Sequence, residues 1–114
     1  RARTRHFSSE RSQARHGESG LEEETFATIE KIRAIAEKLG KPMADVSLAW
    51  LLEQPGVCSV IVGGRNAEQV NKNVKAAELK LEHDVMGALN EATRGLKEKL
   101  GANADMWQGE GRIH

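Results

Sequence analysis

The feature that most constrains this chain is one short β-branched run, Val57-Cys58-Ser59-Val60-Ile61-Val62, closed by Gly63 and Gly64. Its residue types and the turn residues that bound it predict a strand. Apolar residues fall on both alternating faces, the pattern of a strand covered on both sides, as in parallel sheets flanked by helices. Every other periodic segment reads as helix. A strand's backbone N–H and C=O groups need neighbouring strands, and burying them unpaired is costly. The sequence therefore predicts an α/β arrangement whose missing strands lie in a segment outside this one or in a partner chain.

The helices are clearly patterned. From Glu22 to Leu39, residues Phe26, Ile29, Ile32, Ile35, Ala36 and Leu39 recur at three- and four-residue spacing and form one apolar stripe. Glu22, Glu23 and Glu24 occupy the first turn, where negative charge suits the helix dipole. Gly40 is placed to stop this helix, and Pro42 to open the next. From Met43 to Gln54 the sequence is apolar nearly all round, through Val46, Leu48, Ala49, Trp50, Leu51 and Leu52, which predicts burial on several sides with Trp50 in the core. Pro55 and Gly56 end it.

Beyond the strand, Asn66 reads as an N-cap with Gln69 three residues on, close to a capping box. A helix follows to about Ala77, with Val70, Val74 and Ala77 inward. The last helix runs from His83 to about Leu100, with Val85, Leu89, Ala92 and Leu96 on one face. The organisation is thus a basic loop over 1–20, helix–helix–strand–helix–helix over 21–101, and a tail over 102–114.

Composition removes several function classes. The 17 basic and 17 acidic residues balance, so nothing points to nucleic acid or to a membrane surface. No apolar run approaches the ~18 residues a membrane helix needs. Cys58 is the single cysteine and cannot form an internal disulfide, which fits a reducing, cytoplasmic compartment, and its place in the strand predicts a small buried hydrophobe. His6, His16, His83 and His114 are scattered, so no metal site is expected. The chain has no tyrosine, and nothing groups a base, a proton donor and an electrostatic stabiliser, so no catalytic residue is assigned. Arg1 rather than Met begins the chain, which suggests a piece of something longer or a processed product.

The junction of strand, Gly63, Gly64, Arg65, Asn66 and helix is the most informative site. Glycines let a backbone approach a ligand closely, free N–H groups at a helix start attract phosphate, and arginine offers a planar, permanent charge. An ordinary strand-to-helix turn bearing a surface arginine would read the same way, and at this level both readings stand.

The segment from Ser59 to Asn73, Ser-Val-Ile-Val-Gly-Gly-Arg-Asn-Ala-Glu-Gln-Val-Asn-Lys-Asn, resembles the last barrel strand and following helix of aldo-keto reductases. Met43-Ala44-Asp45-Val46-Ser47-Leu48-Ala49-Trp50-Leu51-Leu52 is similar to a barrel helix of that family. Arg3-Thr4-Arg5-His6-Phe7 and Asn103-Ala104-Asp105-Met106-Trp107 resemble one bacterial branch. The resemblance implies the C-terminal portion of a (β/α)8 TIM barrel, mostly helical here with one or two strands. It implies NADP as cofactor: Arg65 on the 2′-phosphate, Gly63 and Gly64 at the adenosine phosphate, Gln69 and Asn73 at the adenosine end. It implies a basic loop, Arg1 to Phe7, over the cofactor and Trp107 at the substrate mouth. The expected partners are the N-terminal half of the barrel and, in the intact protein, a small carbonyl substrate.

Two departures stand out. Gly63-Gly64 replaces a common Lys-Ser, and Lys72 stands where a glutamate is common. The family's Asp–Tyr–Lys–His catalytic set belongs to the first half of the barrel and is not in this chain. A truncated, non-catalytic paralogue that binds a nucleotide or a partner is the alternative reading.

Overall fold

The computed structural model describes residues 22–101, which form four helices: α1 (Glu22–Leu39), α2 (Met43–Leu52), α3 (Ala67–Ala76) and α4 (His83–Leu100). The basic loop over 1–20, including Arg1 to Phe7, and the tail bearing Trp107 lie outside the described residues.

Local chemistry sets the boundaries. Gly40 ends α1 at φ 63°, a left-handed conformation that favours glycine. The Gly40 N–H reaches the Glu37 carbonyl at 3.0 Å, and the Lys41 N–H reaches that of Ala36 at 3.1 Å. This is a Schellman stop, and it turns the chain directly into Pro42, the N-cap of α2. α2 ends at Leu52, two residues earlier than the pattern implies. The Gln54 N–H bonds the Leu51 carbonyl at 3.2 Å, and Gly56 turns the chain at φ 83°.

α1 packs on α4 and on α2, and α2 also packs on α3. Ala36, Val46 and Leu89 meet at the centre, surrounded by Ile32, Ile35, Leu39, Met43, Trp50, Leu79, Leu81 and Val85. The stripes read from α1 and α4 are therefore the packed faces. Trp50 is half-buried against this core, and its Nε1–H donates to Asn90 Oδ1 on α4 at 2.8 Å. At the far end, Lys99 Nζ on α4 meets Glu24 Oε1 on α1 at 2.8 Å, so the two helices run antiparallel. Hydrogen bonding from Lys99 holds the Glu24 carboxyl below the usual carboxylate range.

Three expectations are corrected. Among the described residues there is no strand, and 57–64 is irregular. A strand exists through its ladder, and no described segment lies beside this one to pair with it. The expected two-sided burial fails for the same reason: Ile61 is 102% exposed, and Val57, Val62 and Cys58 are exposed too. Finally, Val70, Val74 and Ala77 were expected inward on α3, yet all three are exposed and Ala76 is the buried residue. Among the described residues the main packing of α3 is on α2, and the valine face meets solvent. Leu51 on α2 is likewise exposed.

Candidate functional site

The five residues expected at a cofactor site, Gly63, Gly64, Arg65, Gln69 and Asn73, form one continuous turn and helix start. Asn66 takes an extended backbone (φ −153°, ψ 169°) and caps α3, its Oδ1 accepting the Gln69 N–H at 2.9 Å. The Val70 N–H donates to the Asn66 carbonyl at 3.2 Å and starts the helical ladder. The capping residues Asn66 and Gln69 are as the sequence implied. Gln69, however, reaches one residue further back than in a capping box: its Oε1 accepts the Arg65 N–H at 2.8 Å.

One helical turn on, Asn73 Nδ2 donates to the Gly63 carbonyl at 3.2 Å. Gln69 and Asn73 are four residues apart, so they share a face of α3 and both can reach the turn. The two glycines differ in surroundings. A Cβ on Gly64 would lie 2.9 Å from Val70 Cγ2, whereas one on Gly63 would meet nothing within 4 Å. Gly64 thus admits the Val70 side chain, and the face of Gly63 is open. The role of Val70 was missed in the sequence, because helical periodicity speaks of faces along α3 and not of the turn that precedes it.

The charge distribution favours an anion. The exposed Arg65 guanidinium has no ion pair among the described residues. Glu68, in the first turn of α3, is compensated by Lys72 at 2.8 Å. The departure noted at Lys72 is therefore engaged along the helix. The N–H groups of Ala67 and Glu68 precede the first helical bond and are taken by no described group. An unpaired guanidinium, free helix-start N–H groups and an open glycine face fit a phosphate.

Elsewhere, α1, α2 and α4 enclose a cleft of ≈ 120 Å³ lined by Ile32, Ser47, Trp50, Leu51, Leu89 and Thr93. Its hydroxyls are occupied, Ser47 by the Met43 carbonyl at 2.8 Å and Thr93 by the Leu89 carbonyl at 3.0 Å. It contains none of the five site residues. Among the described residues, no group of His, Cys, Asp and Glu could hold a metal ion, and no helix is long and apolar enough to cross a membrane.

The sequence profile of the Aldo/keto reductase family matches residues 1–94. The uncharacterized oxidoreductase YrpG of Bacillus subtilis is 34% identical over 67 residues, which are 59% of this chain and 21% of that protein. The uncharacterized oxidoreductase Rv2298 of Mycobacterium tuberculosis is 39% identical over 66 residues, 58% of this chain and 20% of that protein. L-glyceraldehyde 3-phosphate reductase of Escherichia coli is 36% identical over 56 residues, 49% of this chain and 16% of that protein. The chain thus matches about a fifth of the length of these curated relatives. No solved structure matches it.

Proposed function

The chain belongs to the aldo/keto reductase family, and on that premise we propose that it is the C-terminal, cofactor-holding part of an NADP-dependent reductase of aldehydes and ketones. The observation that carries this reading is that Arg65, which has no ion pair among the described residues, immediately precedes the capped start of α3 with its free N–H groups. Arg65 holds the 2′-phosphate of NADP. Gly63 and Gly64 let the backbone close on the adenosine phosphate, and Gln69 and Asn73 lie along the adenosine end.

The cofactor supplies the hydride when bound. Residues of this chain bind and orient it, and the proton donor for the carbonyl comes from the remainder of the barrel, since this sequence contains no tyrosine. That remainder, as a preceding segment or a separate chain, is also the partner. It provides the strands that pair with 57–62, and the exposure of Val57, Ile61 and Val62 supports this assignment. The exposed free thiol of Cys58 fits a cytoplasmic setting.

Arg65→Ala tests the reading in a protein that carries the whole barrel. Only NADPH bears the 2′-phosphate. Removing a charge-assisted contact costs about 1.5–3 kcal/mol, so NADPH binding weakens roughly 10- to 150-fold while NADH binding changes little. Equal losses for both cofactors would refute the assigned role.

A further inference from the structure

We propose that Gln69 and Asn73 are positioning residues that fasten the Gly63–Arg65 backbone to α3, so that the turn keeps its shape without help from a neighbouring strand. Two adjacent glycines leave a backbone with wide conformational freedom. Here that freedom is removed from one side only. Gln69 Oε1 holds the Arg65 N–H at 2.8 Å, and Asn73 Nδ2 holds the Gly63 carbonyl at 3.2 Å. Between them, Val70 Cγ2 packs against the hydrogen face of Gly64, where a Cβ would sit 2.9 Å away. Every one of these contacts lies within residues 63–73.

The arrangement leaves Gln69 Nε2 and Asn73 Oδ1 as the side-chain atoms still available to a ligand. Its use in holding a nucleotide rests on the reading above; the brace itself does not.

The test uses the full 114-residue chain, labelled with nitrogen-15. The Arg65 amide exchange rate and the backbone order parameters of 63–65 are measured by NMR, alongside the urea midpoint of the helices. Gln69→Ala is expected to speed Arg65 exchange roughly fivefold, the equivalent of one net hydrogen bond. Gln69→Glu keeps the acceptor oxygen and is expected to restore the rate to within about twofold of wild type. Gln69→Ala with Asn73→Ala is expected to lower the order parameters of 63–65 from about 0.85 towards 0.6. The urea midpoint stays put, which separates a local brace from a general structural role.

Unchanged exchange and order in the double variant, or no rescue by Gln69→Glu, overturns the proposal. Adenosine 2′,5′-bisphosphate is titrated in parallel into the wild type. Braced behaviour without any shift of the turn amides supports the brace, and the nucleotide reading then stands or falls on Arg65→Ala in the protein that carries the whole barrel. Shifted amides with exchange indifferent to Gln69 sink the brace and leave that reading standing.

Discussion

Leu89→Ala is expected to remove most of the stability of the helical array. Leu89 is 2% exposed and meets Ala36 and Val46 at the centre of the core. The other buried apolar residues are alanines apart from Val46, and the larger side chains packed around them are only partly buried, so Leu89 is the largest side chain of the buried core among the described residues. The substitution deletes three side-chain carbons, about 2.4 kcal/mol of transfer free energy at ~0.8 kcal/mol each. A cavity contribution adds to this, but Leu89 already borders the half-open ≈ 120 Å³ cleft, so the new space merges with one that water reaches. The sum is about 3 kcal/mol. A single core of this size supplies roughly 3–5 kcal/mol in all. With a urea dependence of about 1 kcal/mol per molar, the midpoint falls by about 3 M, leaving little folded baseline. Urea unfolding followed by far-ultraviolet circular dichroism measures it. A shift below about 0.5 M would show that the core does not close around Leu89 as described.

Three further outcomes follow from the same packing. Trp50→Phe keeps the ring in the core and loses the 2.8 Å bond to Asn90, whose exposed amide water can then satisfy, so thermal melts should show a cost of about 0.5–1 kcal/mol. A loss above about 2 kcal/mol would mean that indole packing matters more than the bond. The Glu24 carboxyl titrates below its usual range, so its contribution is present above the unfolded-chain value and is lost as pH falls through the folded one. Glu24→Gln should therefore melt lower than wild type near neutrality and converge with it in acid; parallel pH profiles would contradict the Lys99 contact. Ile61→Lys should leave the urea midpoint unchanged, because Ile61 is fully exposed, and should reduce self-association in sedimentation velocity. A lowered midpoint would show that Ile61 is packed in this chain.

The cap and turn chemistry at the candidate site was readable in the sequence because it is local. Asn66 and Gln69 lie three residues apart, and an N-cap needs no distant partner. The bond from Arg65 to Gln69 spans only four residues, yet it was not read, since the capping pattern pointed to the neighbouring N–H. The contact of Val70 with Gly64 was hidden for another reason. The 3.6-residue period assigned Val70 to an inward face, whereas among the described residues α3 packs mainly on α2 and buries Ala76. Leu79 and Leu81, in the link between α3 and α4, reach the core although no period marks a link of that length.

By itself the sequence determined α1 and α4 with their packed stripes, the glycine stop at Gly40, the cap at Asn66 and the gathering of five candidate residues around one helix start. Each depends on interactions within a few residues, where spacing along the chain is spacing in space. The tertiary structure alone decided that α3 buries Ala76, that Trp50 ties α2 to α4, and that 57–62 stays without a ladder. Burial and strand pairing are properties of what lies opposite. A β-branched run can be written into a sequence, but the hydrogen bonds that make it a strand must come from another segment.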